Sequence, residues 1–225
     1  MANKNLPKVV SEKEFRKSIE AFRKKEKKST RERDKLSAQR RRLPMVAIEE
    51  NYKFDSPSGK VTLLDLFEGQ RQLIVYHFMY HPKDDSFCTG CTFVGDHIPH
   101  LSHMKARETA FTFVSHAPLK SINRHKKRME WDMPWVSSLN STFNEDLKID
   151  GNREHALSVF IRDGKKIYRT YYTGARGVEY LGTPFAFLDL TPWGRQEKWE
   201  DSPKGFPQTD PYQWWRKHDE YEVKK

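Results

Sequence analysis

The chain has 225 residues, which is enough for one domain with an appendage and short for two full domains. It contains no apolar run of about 18 residues or more, so a membrane-spanning helix is not expected. The formal net charge of +10 lies within residues 1–45, which hold 16 Lys or Arg and six Asp or Glu. Because the remainder is neutral, nucleic acid is not expected as a partner of the domain.

Residues 1–44 are predicted to form a basic helical arm. Ser11 and Glu14 have the spacing of a capping box, and apolar residues recur at helical spacing from Phe15 onward. The middle of this helix is nearly all polar, which indicates exposure to solvent, and Pro44 ends it. We interpret the arm as a solvated helix laid on the domain or on a partner. A tether to nucleic acid or to an anionic membrane is the alternative.

Residues 45–192 are predicted to form the domain, in which strands alternate with helices. Strands are expected at 45–48, 71–80, 109–115 and 134–138, and helices at 92–106 and 118–131. A hairpin of residues 156–162 and 165–173 follows, and residues 177–190 form a last helix or turn. The alternation implies parallel pairing and the hairpin adds antiparallel strands, so the predicted fold is α/β, with helices on both faces of a mixed central sheet.

Residues 193–225 are predicted to pack on the domain as an aromatic tail. They contain Trp193, Trp199, Trp214 and Trp215, which is more aromatic content than a disordered segment carries. The first residues of the chain lack the apolar stretch of a signal peptide, so a cytoplasmic location is expected.

The two cysteines, Cys88 and Cys91, follow a predicted buried strand and stand at the start of a predicted helix. A helix start offers free N–H groups and partial positive charge, which stabilise a thiolate. Cys88 is therefore the candidate nucleophile and Cys91, one turn later, the candidate resolving thiol. The pattern predicts a thiol–disulfide oxidoreductase without a cofactor, acting on a disulfide-bearing protein or a small thiol. A pair without chemical function is the alternative.

The chain resembles the thioredoxin superfamily and, more closely, the domain of unknown function 899 family, whose members are described as predicted dithiol–disulfide oxidoreductases. The matching stretches cover nearly the whole chain and include RRRLPMV, GKVTLLDLFEG, RQLIVYHFMY, CTGC, SVFIRDG and LDLTPWGRQE. The resemblance implies a thioredoxin-like central sheet. It also places His77 where thioredoxins carry a buried Asp, which implies an acid/base role toward Cys91. A hydrogen-bonded core histidine is the alternative.

Three further residues are predicted to contact substrate beside the cysteines, namely Phe87, Trp135 and Arg176. Phe87 stands where thioredoxins usually carry Trp, and ordinary packing or ion pairing is the alternative for the other two. Before the SVFIRDG hairpin, where thioredoxins place a cis-proline, this chain has Ala156-Leu157, which argues against broad activity on protein disulfides.

Two other functions compete with the redox interpretation. A metal or cofactor site could combine the thiols with His97, His100 and His103, but spacings of three residues do not put all three histidines on one tight helix face, so no metal is expected. A non-catalytic binding protein would use the arm and the tail as its working surfaces, and a homodimer is a possible form of it.

Overall fold

An eight-stranded mixed sheet organises residues 6–222, the part of the chain that this computed structural model describes. This part of the chain contains ten strands, namely β1 Val46–Ile48, β2 Lys53–Ser56, β3 Gly59–Thr62, β4 Gln72–His77, β5 Tyr80–His81, β6 Ser86–Phe87, β7 Thr109–Ser115, β8 Trp135–Ser137, β9 Ala156–Asp163 and β10 Lys166–Gly174. The large sheet has the order β1-β10-β9-β4-β7-β8-β2-β3, and β5 and β6 form a separate hairpin.

Pairing in the sheet follows the predicted order of strands and helices. β4, β7 and β8 pair in parallel at the centre, while β9 and β10 form an antiparallel hairpin that joins β4. Six α-helices lie within the described residues, namely α1 Glu12–Arg40, α2 Thr89–Gly95, α3 Ser102–Lys105, α4 Leu119–Arg128, α5 Phe143–Asp146 and α6 Thr183–Leu188. The mixed α/β fold is therefore confirmed.

The central strand β4 separates two apolar layers. Successive side chains of a strand point to opposite faces, and β4 is apolar on both. Leu73 and Val75 pack into one layer with Phe143 of α5, and Tyr76 packs into the other with Cys91 of α2. Burying one large apolar side chain contributes about 1.5–3 kcal/mol, so this double-sided strand anchors the elements that carry the cysteines.

Several segments differ from the expected secondary structure. The helix expected at 92–106 is split into α2 and α3, because Pro99 lies between them and proline disfavours helical continuation. The last helix, expected at 177–190, is a 3₁₀ helix, Ala175–Leu181, followed by α6 after Gly182. The hairpin β2–β3 was not among the expected strands, because its strands are short, largely polar and lie at one end of the sheet.

The arm is one long helix that begins at the predicted capping box. Ser11 accepts the Glu14 backbone N–H while the Glu14 side chain accepts from Ser11. No residue of α1 is buried. Near its C-terminal end, Arg40 lies over the ring of Tyr171 at 4.8 Å from the ring centroid, which connects α1 to strand β10. Within residues 6–222, no helix combines the length and the apolar character needed to cross a bilayer.

Candidate active site

Cys88 caps the start of α2, and Cys91 lies within its first turn. The Cys88 Sγ accepts a hydrogen bond from the backbone N–H of Cys91 at 3.5 Å, and the Cys88 carbonyl accepts from Thr92 at 3.0 Å. Cys88 is half-buried and Cys91 is buried, and both are free thiols. The accessible sulfur is therefore the first of the pair, and the second lies beneath it in the core.

The surroundings separate the pKa values of the two thiols. A hydrogen bond from the Cys91 thiol is the largest cause that lowers the pKa of Cys88 to about 6, and the backbone N–H groups of Cys91 and Gly90 and the imidazole of His155 act in the same direction. Burial and the neighbouring Cys88 sulfur raise the pKa of Cys91 well above its usual range. At neutral pH the pair therefore combines a thiolate at Cys88 with a protonated thiol at Cys91.

Tyr76, which the sequence did not single out, lies beneath the pair. Its hydroxyl interacts with the Cys91 thiol, and this interaction lowers the pKa of Cys91 against the effect of burial. Burial in turn raises the pKa of Tyr76 itself. The ring stacks on His155 at 6.3 Å between centroids and an angle of 17°. Tyr76 is thus the polar group of β4 that faces the resolving thiol.

His77 lies on the opposite face of the sheet, so the structure does not bring it to the cysteines. Adjacent residues of a strand point to opposite sides, and Tyr76 occupies the side of Cys91. The His77 Nε2 and the Ser158 Oγ are 3.0 Å apart, and the imidazole stacks on Phe143 at 5.5 Å. Its placement is that of the hydrogen-bonded core histidine.

Burial lowers the pKa of His77 to about 3, with a smaller contribution from the charge of Arg169. The neutral form is favoured in the folded chain, whereas an unfolded histidine binds a proton below about pH 6.5. We therefore expect the free energy of unfolding to fall as the pH drops from about 6.5 toward 3, by on the order of 4 kcal/mol from this group. Urea unfolding at several pH values should give a smaller decrease for His77→Phe than for the wild type. An equal decrease in both proteins would contradict this expectation.

Of the three residues expected to contact substrate, two lie in the core. Phe87 and Trp135 pack against each other at 5.0 Å between centroids, and both contact Phe78. The Trp135 Nε1–H donates to the Ser115 Oγ at 3.0 Å. They support the loop before α2 from below. Arg176 instead lines a cavity beside Cys88.

This cavity has a volume of about 620 Å³ and opens directly onto the nucleophile candidate. Its wall is formed by the start of α2, by the segment that follows β10, and by the C-terminal tail. Residues of the tail that line it are Tyr212, Gln213, Trp215 and Arg216. The sequence predicted that the tail packs on the domain, but none of these four residues was among the predicted site residues.

The histidines considered as partners of the thiols in the alternative metal site make other contacts. His97 Nδ1 lies 2.5 Å from the Phe93 carbonyl oxygen, and His100 Nδ1 lies 2.8 Å from the Ser102 Oγ. Among residues 6–222, no three side chains of His, Cys, Asp or Glu form a group that could hold a metal ion.

Comparison with known proteins assigns the family but no activity. None of the curated proteins matches this chain. A protein-family comparison matches residues 4–221, which include both cysteines and nearly all of the arm and of the tail. The chain therefore belongs to the family described as bacterial protein of unknown function (DUF899).

Proposed function

We propose that this protein is a thiol–disulfide oxidoreductase in which Cys88 attacks a substrate disulfide and Cys91 resolves the intermediate. The observation that carries the proposal is the unequal state of the two sulfurs. The accessible Cys88 has a pKa of about 6, while the buried Cys91 directly behind it keeps its proton. A thiolate in a cavity with a thiol one helical turn away is the arrangement that dithiol exchange requires.

The first step forms a mixed disulfide. The Cys88 thiolate attacks one sulfur of R–S–S–R′, a new bond joins Cys88 to R–S, and R′–S⁻ leaves and takes a proton from solvent. The negative charge of Cys88 is lost in this step, so the hydrogen bond that it accepts from the Cys91 thiol weakens. Cys91 is then free to lose its proton.

The second step closes the disulfide between the two cysteines. Cys91 gives up its proton to solvent, its thiolate attacks the Cys88 sulfur, and the R–S⁻ that leaves takes a proton from solvent. The Tyr76 hydroxyl stabilises the Cys91 thiolate in this step, because their interaction lowers the pKa of Cys91. Overall, two electrons pass from the dithiol to the substrate, and an external thiol reductant returns the enzyme to the dithiol form.

Alkylation across a pH range tests the state of the nucleophile. We expect the rate of Cys88 modification by iodoacetamide to rise with pH with a midpoint near 6, because only the thiolate reacts and the pKa is about 6. At pH 7 roughly nine tenths of Cys88 is then thiolate, and Cys91 stays unmodified in the folded protein. Peptide mass spectrometry of quenched samples measures both sites. A midpoint close to that of an unperturbed cysteine, at about 8.5, would contradict the proposal.

Trapping of the intermediate tests the order of the steps. In a Cys91→Ser variant the resolving thiol is missing, so a substrate disulfide should leave one stable adduct on Cys88, visible as an added mass in the intact protein. The Cys88→Ser variant is the control and should remain unmodified, because Cys91 is buried. Equal adducts on both variants would show that Cys88 is not the attacking residue.

A further inference from the structure

The C-terminal tail forms a roof over the dithiol. Trp215 lies so close to Gly90 that a Cβ on Gly90 would stand 2.7 Å from its ring. The Trp215 ring stacks on Phe93 of α2, with 5.3 Å between centroids and an angle of 8°, and Tyr212 packs against it at 4.7 Å. A large partner cannot bring a disulfide to Cys88 without displacing this roof, which comprises residues 212–216.

Ion pairs and hydrogen bonds on the far side hold the roof in place. Arg128 of α4 pairs with Asp219 at 2.7 Å and with Glu220 at 2.7 Å. The His218 Nδ1 lies 2.7 Å from the Asp96 carboxylate, just beyond α2. The residues directly after the roof are therefore held to α4 and to the C-terminal end of α2, which favours the closed position.

The space beneath the roof has the size and chemistry of a small-molecule site. Its volume of about 620 Å³ lies within the range of roughly 300–1,000 Å³ that such sites occupy. The apolar side chains that line it include Met79, Val94, Val178 and Phe185. An apolar group of a few rings or methylenes would fit beside Cys88.

The charges at the cavity leave one cation without an acidic partner. Glu179 is neutralised, because Arg195 and Arg176 both pair with it. The Arg216 guanidinium donates only to the carbonyl oxygens of Gln213 and Trp215, and no carboxylate within residues 6–222 pairs with it. Arg216 is thus available to a carboxylate on a bound molecule.

We propose that the substrate is a small disulfide with an apolar body and a carboxylate, and that the roof excludes disulfides of folded proteins. This inference rests on the proposed function. Cys88 cleaves the small disulfide, Arg216 holds its carboxylate, and both halves leave as thiols, the two electrons coming from the Cys88–Cys91 dithiol. A small thiol reductant of similar size then reduces the resulting Cys88–Cys91 disulfide.

Single-turnover reduction by the full-length protein tests the substrate class. Pre-reduced protein, freed of reductant, is mixed with bis(carboxyphenyl) disulfide, with its uncharged dicarboxamide, or with insulin. For each disulfide, the rate with the protein is divided by its rate with a simple dithiol. We expect this ratio to be about tenfold higher for both small disulfides than for insulin if the roof is open in about a tenth of molecules. In a Trp215→Ala variant, the normalised rate of insulin reduction should come close to the rates for the small disulfides. Insulin reacting as fast as the small disulfides in the wild type would overturn exclusion by the roof.

The charge at position 216 is tested by a ratio of rates. We expect Arg216→Gln to lower the preference for the carboxylate over the carboxamide by about two- to fivefold, the effect of one exposed ion pair. Arg107→Gln removes an exposed arginine far from the cavity and should leave the ratio unchanged. An unchanged ratio in Arg216→Gln would overturn the carboxylate assignment.

A measurement on the wild type alone separates the roof from any misfolding of Trp215→Ala. A small maleimide should label Cys88 of the folded protein rapidly. A polymer-linked maleimide should label the folded protein at least about tenfold more slowly than the unfolded chain, after this ratio of rates is divided by the same ratio for the small maleimide. Equal labelling by both reagents would overturn the roof. If no disulfide of any kind is reduced although Cys88 is labelled, the proposed function fails rather than the substrate class.

Discussion

A Cys88→Ser variant is expected to lose disulfide reduction by on the order of a thousandfold or more in kcat/KM, the scale of losses when a nucleophile is removed. A serine hydroxyl stays protonated at neutral pH, so the hydrogen bonds that lower the pKa of Cys88 to about 6 have no thiolate to stabilise. Reductant-driven turnover, followed with both a small disulfide and insulin, measures the loss. The background reaction with reductant alone is subtracted.

The Cys91→Ser variant provides the matched comparison. It retains the attacking sulfur, so it should complete the first exchange once and then stop as a mixed disulfide. In Cys88→Ser, the replaced sulfur is half-buried at the start of α2, so the change to oxygen should alter the melting temperature of that variant little. Turnover by Cys88→Ser at the wild-type rate would show that the reduction proceeds without this residue.

The second large effect is expected at Glu197, which is fully buried in the tail. Its Oε1 accepts from the Tyr212 backbone N–H and from the Trp214 Nε1–H, both at 2.8 Å, and its Oε2 accepts from the Trp199 Nε1–H at 2.5 Å. Glu197→Ala leaves three donors without their acceptor. Each such loss costs roughly 1–3 kcal/mol when the donor stays buried. Trp199 and Tyr212 are partly exposed and can turn to water, so the tail should be destabilised by about 2–4 kcal/mol rather than by the full sum.

This destabilisation should be local and should reach the cavity. Tyr212 packs on Trp215, so the loss of the hydrogen bonds to Glu197 should release the roof over Gly90. Hydrogen exchange should therefore increase in residues 193–222 while β4 and β7 stay protected. Glu197→Gln should increase the exchange to an intermediate extent. Its amide oxygen can still accept a hydrogen bond, but its NH₂ group would face an N–H donor of the tail. Glu49→Gln, at an exposed position, is the control. Unchanged exchange of the tail in Glu197→Ala would contradict this role.

The residues around β4 show which structural features a local sequence pattern predicts and which it does not. Gln72–His77 is apolar on both faces, and such a strand was expected at 71–80. Alternation puts Tyr76 and His77 on opposite sides, but it does not say which side meets the cysteines. That choice depends on the register between β4 and β7 and on the helix that packs above them. The resemblance to thioredoxins pointed to His77, whereas the structure places Tyr76 at Cys91.

The position of the C-terminal tail also depends on contacts that a local sequence pattern does not show. Four tryptophans indicated that residues 193–225 pack on the domain, because so much aromatic surface is not left in water. Their destination depended on partners that are remote in sequence, such as Phe93 for Trp215 and Arg128 for Asp219. Phe87 and Trp135, expected at the substrate, instead fill the layer below the cysteines.

The sequence by itself determined the main strands and helices, the capped basic arm and the position of a Cys-x-x-Cys pair at a helix start. These features depend on spacing, side-chain preference and neighbours within a few residues of each other. Only the tertiary structure decided which face of β4 meets the sulfurs, which side chains line the cavity and where the tail lies. Those outcomes depend on packing between segments far apart in the chain, which leaves no local pattern in the sequence.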